Sequence, residues 1–179
     1  MELAFQNIRI READEADAAL LCKWWNDGKI MAHAGFPLGI GTTEDEIIRK
    51  IRAETDDTTR RHMILIDHVP VGEMNYHQLN DNTCEMGIKI CESDYQNRGY
   101  GTIILHMFIH GLFHIRNYDT VVLDTNLNNL RAQHVYEKTG FTKVHIHYNS
   151  WKDQLGQLQS SVVYALRQED YHCPYVFDA

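Results

Sequence analysis

The chain has little of what would mark a secreted, fibrous or membrane-spanning protein. Its four cysteines, Cys22, Cys84, Cys91 and Cys173, form no Cys-x-x-Cys pair and no dense framework, so they read as reduced, mostly buried thiols. With three prolines and no repeat or low-complexity tract, nothing marks a linker, and one domain over residues 1–179 is expected. No apolar run approaches a bilayer span, and Met1-Glu2-Leu3-Ala4-Phe5 lacks the basic start of a secretory signal. A cytoplasmic protein without a membrane partner is therefore the expectation. Positive charge is also short: 17 Lys and Arg stand against 25 Asp and Glu, a net −8. An acidic surface repels phosphate backbones and attracts cations, which argues against nucleic acid as the main partner.

What is present is a run of well-punctuated elements. Ile8-Arg9-Ile10-Arg11 alternates like a half-buried strand. Asp17 can cap a helix through Leu20, Leu21, Trp24 and Trp25, and the stretch Gly28 to Gly41 reads as loop. Thr43-Glu44-Asp45-Glu46 fits a capping box that opens a helix through Ile47, Ile48 and Ile51. His62–Ile66, Val69–Leu79 and Thr83–Cys91 then form an antiparallel meander. After it, strand and helix alternate: helix Thr102–Ile115, strand Thr120–Thr125, helix Leu130–Thr139, strand Phe141–Tyr148 and last strand Val162–Leu166. That alternation favours parallel pairing in the second half, so the class is α+β with a mixed sheet.

Between strand Thr83–Cys91 and the next helix lies Gln96-Asn97-Arg98-Gly99-Tyr100-Gly101-Thr102. Glycine permits positive φ and close backbone approach, and free N–H groups at a helix start form a natural phosphate site. Arg98 adds a fixed positive charge. Taken alone, a glycine pair at a loop–helix junction also serves folding.

Further along, Asn126-Leu127-Asn128-Asn129-Leu130-Arg131-Ala132 precedes Tyr136-Glu137-Lys138-Thr139-Gly140-Phe141. With these two motifs in this order the chain resembles the GNAT acetyltransferases, whose cofactor motif reads Gln/Arg-x-x-Gly-x-Gly/Ala. The resemblance covers about residues 8–166. It implies a mostly antiparallel seven-stranded sheet with two splayed central parallel strands, here Thr83–Cys91 and Thr120–Thr125, flanked by about four helices. It also implies acetyl-CoA as co-substrate, with no metal. The pyrophosphate would rest on residues 96–102, and the pantetheine arm on the backbone of Ile88 and Ile90 and on Asn126 and Asn129. Asn129 would equally serve as a helix cap before Leu130.

Acetyl transfer to an amine requires a neutral nucleophile, a stabilised oxyanion and a proton for the leaving thiolate. The resemblance assigns the last to Tyr136, whose phenol stays protonated at neutral pH; a packed aromatic is the alternative. Glu85 is the candidate base and Glu73 a second, either of which also reads as a plain strand carboxylate. The acceptor would be a small amine or a protein N-terminal amine, a cationic one fitting the acidic balance. Its site would be built from Trp24-Trp25-Asn26-Asp27, residues 28–41 and residues 148–159. Dimers are common in the family, so a homodimer is allowed. A non-catalytic acyl-CoA sensor on the same fold is the competing class.

Three features invite other readings. His106, His110 and His114 recur at helical spacing, but without a Glu in a His-Glu-x-x-His arrangement and on what reads as the polar side of the helix. His145 and His147 alternate onto one strand face. Cys84 and Cys91 lack the basic neighbours that would activate a thiol and read as core.

Overall fold

A computed structural model describes residues 1–177. One eight-stranded sheet runs in the order β1-β2-β3-β4-β5-β6-β8-β7. Its strands are β1 (Leu3–Phe5), β2 (Ile8–Glu12), β3 (Thr59–Ile66), β4 (Val69–Asn80), β5 (Thr83–Ile90), β6 (Thr120–Asn126), β7 (Thr142–Lys152) and β8 (Leu158–Arg167). Five helices accompany them: α1 (Ala18–Trp25), α2 (Gly28–Met31), α3 (Glu44–Ala53), α4 (Tyr100–His114) and α5 (Leu130–Thr139). All pairings are antiparallel except β5 with β6. The fold class is the one expected, with β1 as an eighth strand and α2 as a fifth helix. Among the described residues no helix is long and apolar enough to cross a membrane.

Local chemistry explains most boundaries. Thr43 accepts from the Glu46 N–H while the Glu46 carboxylate accepts from Thr43, so α3 starts in the expected capping box. Asn129 accepts from the Ala132 N–H and caps α5, which Gly140 ends at φ 105°. Asp17 does not cap α1. Its carboxylate accepts two bonds from Arg11, at 2.7 Å each, and one from the Asp14 N–H. The stretch 28–41 is not all loop either, because Asp27 accepts from the Lys29 N–H and starts the four-residue α2.

Alternation along β3 divides the interior in two. Ile64 and Ile66 face a core with Tyr76, Phe108, Phe113 and Tyr164, built around α4. Met63 faces the opposite core, where α1 and α3 bring Leu21, Trp24, Trp25 and Ile47. α4 is buried nearly all round, including His106 at 3 % exposure, so the polar side expected for its histidines is absent there. The C-terminal segment explains this: the Tyr171 hydroxyl sits 3.2 Å from His106 Nδ1 and donates to the His106 carbonyl at 3.0 Å. The His110 and His114 rings pack tilted at 4.4 Å, and His110 meets Phe177 edge-on.

His62, fully buried against Tyr76 and Phe108, has neither ring nitrogen in a well-formed hydrogen bond. Burial pushes its pKa down to about 3. An unfolded imidazole titrates near pH 6.5, so below that the unfolded chain binds a proton that the native one refuses. Stability should fall by up to about 1.4 kcal/mol per pH unit between roughly pH 6 and 3 from this group alone. In denaturant melts across that range, His62→Leu should flatten the slope; an unchanged slope would assign acid sensitivity to other groups.

Candidate active site

The parallel pairing of β5 with β6 is short. It comprises Thr83 with Thr120, Cys84 with Val121 and Glu85 with Val122, and then the strands part. Beyond that point β5 still pairs with β4 as far as Ile90, so the edge of Met86–Ile90 facing β6 carries unpaired backbone groups. The gap opens into a cleft of about 1120 Å³. This volume suits an extended ligand lying as an added strand. Ile88 and Ile90 line it, and the Ile90 carbonyl already accepts from Gln96 Nε2 at 2.8 Å.

The turn at residues 96–102 borders the cleft. Asn97 and Gly99 have φ of 59° and 84°, left-handed on either side of Arg98. Gly99 sits at the N-cap of α4, whose first N–H groups have no helical partner. Gln96, Asn97, Gly99, Gly101 and Thr102 all line the cleft, while Arg98 and Tyr100 lie outside its lining. The Gln96 amide oxygen accepts from Arg131 at 3.0 Å, tying the turn to α5. A Cβ at Gly99 would meet nothing within 4 Å, so the space over this glycine is open.

Asn126, Asn129 and Tyr136 line the same cleft from β6 and α5. Both asparagines carry structural bonds as well. Asn126 donates to Gln159 and accepts from the Asn128 N–H; Asn129 caps α5 and donates to Thr125. Tyr136 is 7 % exposed, held between Phe141 and Tyr164. Burial, aided by the negative charge of Asp124, pushes its phenol up to about 12, so it remains a hydrogen-bond donor across the neutral range.

A split parallel pair with a glycine turn bordering it and a tyrosine across the gap is the geometry the sequence motifs imply. The family model described as an acetyltransferase (GNAT) domain matches residues 7–142. The chain belongs to the GNAT acetyltransferases. Solved structures agree on the fold. The chain is similar to a spermidine N-acetyltransferase from Vibrio cholerae in complex with CoA and spermine (TM-score 0.83, 19% identity, covering 92% of this chain and 98% of that one). It is likewise similar to a GNAT-family acetyltransferase from Bacillus anthracis (0.78, 17%, 94% and 99%). A third is a ribosomal L7/L12 α-N-protein acetyltransferase in complex with coenzyme A (0.82, 13%, 93% and 98%).

Trp24, Asp27, Ile30, His33 and Trp151 also line this GNAT cleft. Two carboxylates pin α1 there: Trp24 donates its indole N–H to Glu92 at 2.8 Å, and Trp25 donates to Glu73 at 2.7 Å. The loop after α2 docks on the β7–β8 hairpin, where the Gln154 side chain accepts from Leu38 N–H and donates to the Gly39 carbonyl.

The two carboxylates singled out as bases are not in the cleft lining. Glu73 is buried and receives Trp25, Arg61 and Lys89. Burial alone would raise its pKa, but the charges of Arg61 and Lys89 outweigh that and hold it below the usual range. Its oxygens are committed to holding α1, β3 and β5 together. Glu85 lies where β5 and β6 are still paired, short of the split, and burial raises its pKa, with Asp124 adding to the rise and His77 opposing it.

Sequence reading missed Asp124, Lys89 and Glu92, all in the cleft wall, whereas Trp151 falls inside the segment 148–159 expected at the acceptor site. None of the three sits in a motif. Cys84 and Cys91 are buried, with burial pushing both thiols up to about 12, which leaves them inert. The His145 and His147 rings meet edge-to-face at 4.4 Å on exposed β7. Among the described residues no cluster of three or more His, Cys, Asp or Glu side chains is placed to hold a metal ion.

Proposed function

We propose that this chain moves an acetyl group from the thioester of acetyl-CoA directly to a primary amine, on a small cationic molecule or a protein N-terminus. The observation that carries the reading is the convergence of the free β5 edge, the turn at residues 96–102 and the Tyr136 phenol on one cleft. In this reading the pyrophosphate rests on the turn and the α4 N-terminus, where backbone N–H groups and the helix dipole favour negative charge. The pantetheine arm adds to the free edge at Ile88 and Ile90, with Asn126 and Asn129 beside it. Arg98, Tyr100 and Thr102 complete the turn.

The thioester carbonyl then lies along β5, where a backbone N–H serves as oxyanion donor, an interaction worth roughly 3 kcal/mol in comparable sites. Tyr136 donates to the sulfur as it leaves. A sensor would have no use for a buried donor at that point, which supports catalysis over binding alone.

An amine acceptor attracted to a protein of net charge −8 should feel salt. With polyamines, aminoglycosides, amino acids and peptides compared by CoA release, the best acceptor should be cationic. Its apparent Michaelis constant should rise as ionic strength goes from about 10 mM to 150 mM, over which the screening length falls from about 30 to 8 Å. A neutral or anionic best acceptor, or a constant unmoved by salt, would contradict the cationic assignment.

A further inference from the structure

Three carboxylates line the cleft among the described residues: Asp27, Glu92 and Asp124. Asp27 accepts from the Lys29 N–H to start α2, and Glu92 accepts from the Trp24 indole. The Asp124 side chain makes neither a hydrogen bond nor an ion pair with any described residue, and it is exposed and lines the cleft. It sits on β6 two residues past Val122, the last residue paired with β5, and on the same face as Val122. Glu85 and Gly87 share that face on β5, so Asp124 looks across the split at the stretch of β5 where the thioester would lie.

We infer that Asp124 accepts the proton of the incoming amine, directly or through one water, in the transfer proposed above, on which this inference rests. The surrounding charges suit the role. From β5, Glu85 is close enough to repel it; from α5, Tyr136 is close enough to feel its charge; from β7, His147 is close enough to attract it. The residue paired with it on β8 is Val163, which brings no charge. Desolvation raises the pKa of Asp124, with His147 opposing the rise, and a carboxylate of raised pKa is a better base than a free one.

The step balances as follows. The ammonium gives one proton to the Asp124 carboxylate, and its nitrogen lone pair attacks the thioester carbon. The C–N bond forms, and the C–S bond breaks as the tetrahedral intermediate collapses. The sulfur leaves with the bonding pair and takes the Tyr136 hydroxyl proton. The second nitrogen proton restores the phenol through solvent, and Asp124 releases its own proton to water. The products are amide, free thiol and one proton.

The test compares wild type, Asp124→Asn and Glu85→Gln by CoA release between pH 6 and 10, with CoA affinity from calorimetry as the folding control. Asp124→Asn should keep wild-type CoA affinity and lose roughly a hundredfold in kcat at pH 7, as removal of a general base does. The loss should shrink towards pH 10, where the amine is already neutral. Glu85→Gln removes only a neighbouring charge and should lose at least about tenfold less than Asp124→Asn at pH 7; a larger loss in Glu85→Gln than in Asp124→Asn would overturn the inference. If Asp124→Asn binds CoA normally and turns over within threefold at every pH while wild type is active, the inference is overturned and the transfer reading stands. If wild type binds CoA but releases none with any amine, the transfer reading fails and the inference with it.

Discussion

Replacing Gly99 by valine should remove measurable CoA binding while the protein stays folded. Gly99 holds φ at 84° at the N-cap of α4, a conformation that costs an ordinary residue about 1–2 kcal/mol and a β-branched one more. That strain is small beside the roughly 5–15 kcal/mol of a typical domain, and no protein atom lies within 4 Å of the added Cβ. What the valine fills is the open space over the turn, where the pyrophosphate would approach the backbone. Gly101 supplies the control. Its added Cβ would meet only the Ile90 Cδ1 at 3.6 Å, an ordinary contact, and no positive φ is involved. Gly101→Ala should therefore bind CoA within a few fold of wild type. Calorimetry with circular dichroism decides the matter: wild-type affinity in a folded Gly99→Val protein would place the phosphates elsewhere.

Tyr136→Phe should lower turnover by about a hundred- to a thousandfold with CoA affinity nearly unchanged. The ring is packed between Phe141 and Tyr164, and phenylalanine keeps that packing. Only the hydroxyl is lost, and its partner, the departing sulfur, carries charge only as the intermediate collapses. An interaction confined to the transition state appears in kcat rather than in binding. The pH dependence sharpens the test. Burial places the phenol near 12, so wild type should show no downturn from Tyr136 ionisation below about pH 11. The mutant profile should therefore keep its shape and drop uniformly. Normal turnover in Tyr136→Phe would make it a core aromatic and leave the thiolate to take its proton from water.

How far the sequence reads depends on whether the information is local. The capping box at Thr43 and Glu46, the Asn129 cap and the Gly99 turn are written within a few residues, and the structure has each of them. Asp17 was misread because Arg11, six residues earlier, competes for its carboxylate with two charge-assisted bonds that outweigh a single cap. α2 was missed because four residues beginning with glycine carry no periodicity. The burial of His106 depends on Tyr171, far along the chain, and no helical pattern can announce a segment that folds over it. Asp124 is the sharpest case. Nothing in Thr120–Asn126 separates it from a solvent-facing strand acid; its place follows from where β6 stops pairing with β5. Glu85 has the reverse history: its position on the motif strand suggests chemistry, yet it lies before the split.

The most direct measurement follows wild-type protein with acetyl-CoA and a panel of primary amines, recording free thiol by colour and the acceptor by mass spectrometry. The account predicts thiol release that depends on the amine, matched one to one by an acceptor 42 mass units heavier, the increment of one acetyl group replacing one hydrogen (about 43 less 1), with no acetylated enzyme between. Thiol released at the same rate without amine, or an acetyl group retained on the protein before transfer, would contradict direct transfer in the cleft between β5 and β6.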